Sequence, residues 1–336
     1  MHKIKNLNKI LFIGLGGAGQ RHLRNFRLFL PSANFLAFRH KNKTPLLNED
    51  FTIDHSSSIE EKYFLKNMDS IEKAIYENPD LVVICTPTSR HFEFTKLFAK
   101  NKISIFVEKP GAINFSQAKT IKKLVNQNQV GYHVGFQRQF HPFLISLKDR
   151  IKKNIYGKLI NIRANISSFM PLWHKYEDYR DLYASRKDLG GGIINTESHE
   201  LYFFIDIFGL PKYVTGYQQN RKFYDLNITH SCNIQLHYQE FIIEMNLSFF
   251  HKRNERSIVI NGTKGWDFID LERNIFDSSF DKSDNPLLKK SFLNEELFKK
   301  QTQYIIKNYK KINNKILKNI LNLSSTLEKV NKLKIY

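Results

Sequence analysis

A glycine-rich turn near the N-terminus places the strongest constraint on how this chain folds. Residues 14–19 read GLGGAG; they follow an apolar run at 10–13 and precede a segment in which Leu23 and Phe26 have helical spacing. A strand, G-x-G-x-x-G and a helix in this order form a dinucleotide-binding turn, because the glycines allow a tight turn, close approach of a pyrophosphate and close helix packing. The N–H groups and positive dipole end of the helix then face the phosphates. The predicted cofactor contacts are Gly14, Gly16, Gly17, Ala18 and Gly19; the alternative is a purely structural turn.

The end of the second predicted strand bears on which dinucleotide binds. This strand, residues 35–38, is followed by Arg39, His40 and Lys41, and no acidic residue occurs before Glu49. An acidic residue at this point holds the ribose hydroxyls of NAD, whereas an arginine attracts the 2′-phosphate of NADP. The sequence therefore favours NADP over NAD, with Arg39 as a cofactor contact. The alternative is that Arg39 is an exposed residue of a basic protein and the ribose is bound in another way.

Strands and helices alternate through the first part of the chain, where residues 54–75 are predicted to form a loop and one helix that contains Ile71 and Ile75. The apolar runs at 80–85 and 103–107 are typical of buried parallel strands, and they end at Thr86-Pro87-Thr88-Ser89 and at Glu108-Lys109-Pro110. Such alternation predicts a doubly wound parallel sheet whose ligand lies at the carboxyl ends of the strands. The glycine turn and these two segments should therefore converge on one crevice.

The character of the sequence changes from about Gly157 onward. Residues 159–166 and 234–247 alternate apolar and polar side chains, as expected for an antiparallel sheet covered on one face. The run 189–201 predicts a glycine-rich approach and a helix that ends at Gly209, and residues 295–323 have helical spacing. We predict two domains, 1-137 and 138-336, as the length of 336 residues also suggests.

The amino-acid composition bears on the cellular compartment and on the binding partners that we expect. The two cysteines, Cys85 and Cys232, cannot form a disulfide framework, and no signal-like N-terminus or bilayer-spanning apolar stretch occurs, so a cytoplasmic protein is expected. The net charge of +20 is compatible with a nucleic-acid surface. However, the lysines are scattered among Asn and Ile, which favours a general compositional bias. We expect no nucleic-acid partner, no membrane association and no metal site.

Two side chains have the chemistry for proton and charge handling. Lys109 follows a predicted strand, where an ammonium donates hydrogen bonds and stabilises developing negative charge; the alternative is a surface lysine paired with Glu108. His199 is suited to general acid/base catalysis because its ordinary pKa is near neutrality, although a histidine on a partly apolar helix is more often a hydrogen-bonded core residue. Asn195 lies four residues earlier and should share a helix face with His199.

The chain resembles the glucose–fructose oxidoreductase / inositol dehydrogenase / MocA-type family of NAD(P)-dependent oxidoreductases over nearly its whole length. Residues 14–25 resemble the opening motif of that family, residues 86–91 (TPTSRH) its T-P-x-x-x-H turn, and 108–110 its E-K-P signature. Residues 179–184 (YRDLYA) and 189–201 resemble a branch with Y-R-x-x-Y-x-A and G-G-G…S-H-E.

The resemblance implies an N-terminal Rossmann domain and a C-terminal α+β domain with an open, mostly antiparallel sheet that builds homodimers or homotetramers. It also implies hydride transfer between a nicotinamide and a sugar, nucleotide-sugar or cyclitol. Lys109 would contact the substrate hydroxyl and the nicotinamide, and His199 would be the catalytic histidine of D-x-x-x-H. The further cofactor contacts that the resemblance implies are Thr86, Pro87, Thr88, His91, Glu108 and Lys109.

Two residues depart from the family pattern. Tyr202 follows H-E-L, where the related branch often carries Asp, and we expect it to be a packing residue. The Asp of D-x-x-x-H is Asn195 here, and an amide can bind substrate but cannot favour a charged imidazole. Asn195 is therefore either a neutral substrate contact or a sign of altered activity, which leaves a cofactor-binding sensor or assembly protein as the alternative to an enzyme. The branch with S-H-E suggests surface polysaccharide biosynthesis. Aromatic rings for a sugar and arginines for a carboxylate or phosphate are predicted on the substrate side at Arg138, Trp173, Tyr179 and Arg180.

Overall fold

The computed structural model describes residues 7–39, 44–280 and 294–336. His40 and Lys41, which follow the second predicted strand, and the first residues of the N-terminus lie outside this part. The described chain forms two compact units, Met1–Gly135 with Phe298–Ile320, and Phe136–Leu297 with Leu321–Tyr336.

The first unit is built on a parallel six-stranded sheet with the order β3-β2-β1-β4-β5-β6. The order reverses between β1 and β4, which is the switch point of a doubly wound fold. This confirms the predicted parallel sheet. Its elements are β1 Lys9–Ile13, α1 Gly17–Phe29, β2 Asn34–Phe38, α2 Ile59–Tyr63, β3 Leu65–Asn67, α3 Ile71–Tyr76, β4 Leu81–Ile84, α4 Thr88–Lys100, β5 Ser104–Val107, α5 Phe115–Asn128 and β6 Tyr132–Val134.

The segment 54–75 is more structured than predicted. We expected a loop and one helix, but the chain forms α2, the edge strand β3 and α3. Ser58 and Glu61 cap α2 reciprocally, a capping box whose sequence signal was present. Strand β3 buries only Leu65 of its three residues, so it has no alternating pattern that would have revealed it.

The second unit is built on a mixed, mostly antiparallel sheet of seven strands with the order β13-β12-β11-β7-β10-β9-β8. Among the strands of the described residues in this sheet, only β7 and β10 pair in parallel. Its elements are α6 Pro142–Lys152, β7 Leu159–Phe169, α7 Ile193–Thr196, α8 His199–Phe208, β8 Tyr213–Gln219, β9 Ser231–His237, β10 Ile242–Ser248, β11 Phe250–Gly262, β12 Gly265–Asp270 and β13 Ile275–Ser278.

Alternation along these strands sets which face of the second sheet is covered. In β9 and β10 every second residue is buried, and Ile243 of β10 lies between Leu236 of β9 and Ile162 of β7. Helix α7 contacts β9 and β10. The predicted one-sided sheet is therefore confirmed, with residues 234–247 forming two strands around a turn.

The C-terminal segment contains two helices, not the single helix predicted over 295–323. They are α9 Asn294–Asn308 and α10 Asn314–Asn331. The break has a local cause, since Asn313 Oδ1 accepts the N–H of Ile316 at 3.1 Å, as an N-cap residue does.

The segment 298–320 belongs to the first unit, where Ile305 and Tyr309 join the core cluster that contains Ile10, Phe12 and Phe106. A Cβ on Gly131 would lie 1.7 Å from the Tyr309 carbonyl oxygen, so only glycine permits this approach. The domain limits 1-137 and 138-336 stay a prediction, but the first compact unit includes this late segment.

Within the described residues, no helix is both long and apolar enough to cross a membrane. The same part of the chain contains no group of three His, Cys, Asp or Glu side chains arranged to hold a metal ion.

Candidate cofactor and substrate sites

The glycine turn after β1 is tightly packed at Gly14 and Gly19 and open at Gly16. Gly14 has φ +87°, and a Cβ there would lie 2.9 Å from the Cys85 carbonyl oxygen. A Cβ on Gly19 would lie 2.3 Å from the carbonyl oxygen of Gly14, whereas nothing lies within 4 Å of one on Gly16. Gly14 and Gly19 therefore make the turn compact, and Gly16 faces open space.

Gln20 stabilises this turn through hydrogen bonds, although the sequence predicted no role for it. Gln20 Nε2 donates to the carbonyl oxygens of Leu15 and Pro45 at 3.1 and 2.8 Å, and Gln20 Oε1 accepts the N–H of Leu47 at 2.9 Å. Gln20 is fully buried. Its partner segment lies 25 to 27 residues away, so helical periodicity alone gave no signal for this role.

Hydrogen bonds between neighbouring strand ends align the other predicted segments along the carboxyl edge of the first sheet. The Cys85 N–H donates to the Ile13 carbonyl oxygen at 2.8 Å, and the Glu108 N–H donates to that of Ile84 at 2.9 Å. The glycine turn, the turn that begins at Thr86 and the E-K-P segment therefore lie at one edge. The peptide bond between Lys109 and Pro110 is cis.

Glu108 faces into the first unit and not toward solvent. Its Oε1 lies 2.7 Å from Nε2 of His22, whose side chain is fully buried beside the ring of Phe106. Burial alone would raise the pKa of Glu108, but the hydrogen bond from His22 and the charges of His22 and Lys109 outweigh it and hold the pKa below its usual value. Glu108 is therefore an anchored carboxylate immediately before Lys109. His22 lies in the opening motif of residues 14–25, but the sequence indicated no role for it.

The turn before α4 is shaped by His91. Its Nε2 lies 2.9 Å from the Thr86 carbonyl oxygen, and its side chain is buried. Burial lowers the pKa of His91 to about 4, so the imidazole is neutral at pH 7. The hydroxyl oxygen of Thr86 is also buried and has no hydrogen-bond partner among the described residues.

Arg39 directly follows β2, as predicted, but its guanidinium already has protein partners. Nη1 donates to Glu60 Oε1 at 2.7 Å and Nη2 donates to the Thr44 carbonyl oxygen at 2.9 Å. The side chain of Arg39 is only 9% exposed. Glu60 belongs to α2 but lies beside the end of β2, where it pairs with Arg39. The sequence around β2 did not indicate this acidic residue.

These features fit a nicotinamide dinucleotide in the first unit. Helix α1 begins at Gly17, its N-cap Gly16 provides no side-chain cap, and its first turn contains no acidic residue. Its first N–H groups can therefore bind a pyrophosphate approaching over Gly16. Thr86 can donate its buried hydroxyl to the same ligand.

In the second unit, His199 and Arg138 line one pocket of about 210 Å³. His199 is the first residue of α8 and is 8% exposed, and the ring of Phe136 meets it edge-on at 5.9 Å. Tyr202 stacks on Phe136 with ring centroids 3.8 Å apart, which agrees with the packing role expected for Tyr202. The other lining residues are Gln139, Leu144, Ile145, Lys148, Phe203 and Asp206.

The two glutamates beside His199 bind a buried arginine from β11. Arg256 Nη2 donates to Glu197 Oε2 at 2.6 Å, and Nη1 donates to Glu200 Oε2 at 2.7 Å. Burial would lower the pKa of Arg256, but the two carboxylates raise it above its ordinary value. Arg138 Nε lies 3.9 Å from Glu200 Oε1. Burial and the charge of Arg256 lower the pKa of Arg138.

The prediction that Asn195 and His199 share a face of one helix is wrong. Asn195 belongs to α7, which ends at Thr196, and α8 begins at His199. Glu197 and Ser198 separate the two helices, with Glu197 turned to Arg256. Asn195 Nδ2 donates to the Gly190 carbonyl oxygen at 3.1 Å, and its buried Oδ1 has no hydrogen-bond partner in the described part of the chain.

The remaining predicted substrate residues do not line the pocket of His199. Trp173 Nε1 donates to Ser168 Oγ at 3.1 Å, and the Tyr179 hydroxyl donates to the Tyr224 carbonyl oxygen at 3.1 Å. Arg180 lies over the Tyr179 ring and pairs with Asp178. These three residues follow β7 in the segment that leads to α7, and their substrate role stays a prediction.

Two family profiles match the chain over most of its length. Residues 8–136 match an oxidoreductase family with an NAD-binding Rossmann fold, and residues 144–266 match the GFO/IDH/MocA C-terminal domain. The chain belongs to this family. The matched N-terminal domain is an NAD-binding Rossmann fold, so the prediction of a nicotinamide dinucleotide cofactor is confirmed, whereas the residues that bind it stay a prediction.

A curated relative and two solved structures illustrate the family. The scyllo-inositol 2-dehydrogenase (NAD(+)) of Bacillus subtilis (strain 168) is 31% identical over 150 residues, which are 44% of this chain and 41% of the relative. This match thus spans less than half of the relative's length.

Both structures have the same fold as this chain over nearly its whole length. KijD10, a 3-ketoreductase from Actinomadura kijaniata in complex with NADP and TDP-benzene, has a TM-score of 0.79 and 13% identity, with 98% of this chain and 99% of KijD10 covered. The WlbA dehydrogenase from Bordetella pertussis, in complex with NADH and UDP-GlcNAcA, has a TM-score of 0.73 and 15% identity, with 98% and 95% covered.

Proposed function

We propose that this family member is an NAD(P)-dependent oxidoreductase that moves a hydride between a nicotinamide and a CH–OH carbon of a sugar, nucleotide-sugar or cyclitol. The observation that carries the proposal is the carboxyl edge of the first sheet, where the open glycine turn and the E-K-P segment lie on adjacent strand ends. The bound nicotinamide would supply the hydride acceptor or donor at its C4 atom.

Lys109 is the proposed substrate-hydroxyl contact. It follows Glu108, which His22 holds in the interior, and the Lys109 N–H itself donates to Glu108 Oε2 at 3.2 Å. This support fixes the backbone from which the ammonium extends. An ammonium at that place stabilises negative charge that develops on the substrate oxygen.

His199 is the proposed general acid/base. It takes the hydroxyl proton when the carbon is oxidised and returns it in reduction, a role that contributes about 10²–10⁴ in rate. Its pocket contains aromatic and apolar surface together with Arg138, a combination that suits a sugar ring with an anionic group. Asn195 Oδ1, a buried acceptor, would accept a hydrogen bond from another substrate hydroxyl.

The relatives support a sugar-like substrate. The Bacillus subtilis relative is named for an inositol, and the two solved structures contain TDP-benzene and UDP-GlcNAcA. We therefore propose a nucleotide-sugar or a cyclitol as substrate, with surface polysaccharide biosynthesis as the context. A cytoplasmic location and a homodimer or homotetramer formed through the second sheet belong to the same proposal.

The second candidate is a cofactor-binding sensor or assembly protein with little catalysis. Asn195 favours it, because the amide stands where the family has an aspartate and already donates to Gly190. The two functions differ in turnover but not in cofactor binding. Nicotinamide fluorescence titration beside a turnover assay on a panel of sugars and nucleotide-sugars separates them, since tight binding without any turnover supports the second candidate.

The catalytic roles are tested by replacing Lys109 and His199 with Ala in separate variants. We expect turnover to fall by about 10²–10⁴ for His199→Ala with dinucleotide affinity nearly unchanged, and by a comparably large factor for Lys109→Ala. Lys100→Ala and His55→Ala, which alter exposed residues, serve as matched controls. Full turnover in both site variants would contradict the role assignments.

A further inference from the structure

The acidic partner of Arg39 comes from an element that follows β2 only after a long connection. Glu60 lies 21 residues after Arg39, and its Oε1 accepts from Arg39 Nη1 at 2.7 Å. The other terminal nitrogen of Arg39 donates to the Thr44 carbonyl oxygen. Both ends of the guanidinium fork are therefore held by the protein.

This pair lies beside the glycine turn. The Phe38 carbonyl oxygen, immediately before Arg39, accepts the N–H of Gly14 at 3.2 Å. In a doubly wound dinucleotide site the pyrophosphate lies at the turn and the adenosine ribose lies at the end of the second strand. Arg39 and Glu60 thus stand where the ribose 2′ position is recognised.

Glu60 is both charged and accessible to a ligand. Burial alone would raise the pKa of Glu60, but the hydrogen bond from Asn67 and the charge of Arg39 outweigh it and hold the pKa below the ordinary value, so the carboxylate is ionised at pH 7. The Glu60 side chain is 31% exposed, against 9% for Arg39. A ligand therefore meets the carboxylate more readily than the guanidinium.

We propose that Glu60 selects NAD over NADP by accepting a hydrogen bond from a ribose hydroxyl, repelling a 2′-phosphate and keeping Arg39 from binding one. An anionic phosphate beside this carboxylate meets a like charge, and the two terminal nitrogens of Arg39 already donate to Glu60 and Thr44. This selection reverses the preference for NADP that the local sequence suggests. It rests on the cofactor binding of the family and not on the catalytic roles of Lys109 and His199.

The test measures dissociation constants of NADH and NADPH for the full-length protein by fluorescence titration or calorimetry. We expect the wild-type protein to bind NADH at least about tenfold more tightly than NADPH, which corresponds to about 1.4 kcal/mol. Glu60→Gln keeps the shape and removes the charge, so the ratio of the two constants should move toward NADPH by about tenfold or more.

The matched control is Glu61→Gln on the same helix. Glu61 caps α2 with Ser58 and has no hydrogen bond to Arg39, so this variant removes the same charge without changing the selection. Adding Arg39→Met to Glu60→Gln should abolish the gained NADPH affinity, because the released guanidinium is what binds the phosphate. Thermal denaturation shows whether each variant folds.

Three outcomes would overturn the proposal. One is a wild-type protein that binds NADPH as tightly as NADH or more tightly, a measurement that needs no variant. Another is equal selectivity in the Glu60→Gln and Glu61→Gln proteins. Binding of neither dinucleotide overturns the proposal together with the cofactor role of the glycine turn, whereas loss of turnover with NADH selectivity intact affects only the proposed function.

Discussion

At the scale of single residues, the candidate cofactor site consists of partly buried groups that we propose to face the ligand and of fully buried supports. Gly16 and Lys109 belong to the first kind, and Gln20, His22 and His91 to the second. The supports hydrogen-bond to the glycine turn, to Glu108 and to the turn at Thr86. These hydrogen bonds fix the backbone of the segments that we propose to bind the dinucleotide.

The glycines of the turn provide a test that separates folding from binding. In Gly19→Ala the new Cβ meets the Gly14 carbonyl oxygen, which is backbone and cannot move freely, so we expect a loss of about 1–3 kcal/mol in the free energy of unfolding. In Gly16→Ala the Cβ enters open space at φ −70°, so stability should be kept while dinucleotide affinity falls by at least about tenfold.

Chemical denaturation and NADH titration of both variants check this expectation. A stable Gly16→Ala protein with wild-type affinity would show that the pyrophosphate does not approach this position. A Gly19→Ala protein as stable as the wild type would show that the turn relaxes around the added methyl group.

The sequence was informative where the signal is local. The glycine turn after β1, Arg39 after β2 and Glu108-Lys109-Pro110 after β5 lie at the strand ends where the sequence placed them, while their roles stay predictions. The contacts of His22 and Glu60 were not predicted, because their partners lie 86 and 21 residues away, and such pairs follow from the strand order and not from any short motif.

At the scale of elements, the break between α7 and α8 is the feature that helical spacing did not reveal. The sequence predicted one helix ending at Gly209, and Gly209 does end α8 with φ +78°. The interruption at Glu197 and Ser198 accompanies the ion pairs of Glu197 and Glu200 with Arg256, which joins both helices to β11. An ion pair with a distant strand does not change the apolar periodicity of a helix, so the periodicity could not indicate this break.

Removal of Arg256 should test how strongly this strand holds the two helices. Arg256→Met removes the arginine that the two buried carboxylates share and leaves only Arg138, 3.9 Å from Glu200, so we expect the free energy of unfolding to fall by about 3–5 kcal/mol. Combining it with Glu197→Gln and Glu200→Gln should recover much of the loss, because the buried charges disappear together.

Arg163→Met is the matched control, since Arg163 pairs with Glu244 on the exposed face of the same sheet and should change stability little. Urea denaturation of the variants gives the comparison. If Arg256→Met were no more destabilising than Arg163→Met, the buried ion pairs would not be what holds α7 and α8 to β11.

At the scale of the whole molecule, the two sheets were predictable and the assignment of the C-terminal segment was not. Alternation in the first part and period-two strands in the second gave both sheets. The apolar stripe of 295–323 identified a helix but not its partner, and Ile305 and Tyr309 complete the core of the first unit. This unit therefore depends on residues from both ends of the chain.

Two of the buried histidines of the first unit, His91 and His133, make its stability depend on pH. Burial lowers the pKa of His91 and of His133 from 6.5 to about 4. In the unfolded chain both imidazoles take up a proton near their ordinary pKa, while in the folded unit they stay neutral. Between about pH 6.5 and 4 the unfolded state binds more protons, so folding stability falls as the pH falls.

Each histidine should contribute up to about 1.4 kcal/mol per pH unit in this window. Glu108, whose pKa is lowered in the folded unit, loses its stabilising contribution only below the ordinary glutamate pKa of about 4.3, so it does not obscure the window. Hydrogen exchange of the β4 and β5 amides between pH 7.5 and 5, corrected for intrinsic exchange, reports the stability of this unit.

The variant His133→Gln tests the contribution of one of these histidines. In the folded protein, His133 Nε2 lies 2.9 Å from the Asn308 carbonyl oxygen, and a glutamine amide can still donate to that oxygen. Because the variant removes one titrating group, the slope of unfolding free energy against pH should decrease by one histidine's share. His55→Gln, at an exposed position, should leave the slope as it is; equal slopes in wild type and His133→Gln would mean that the buried imidazole takes up its proton without unfolding the sheet.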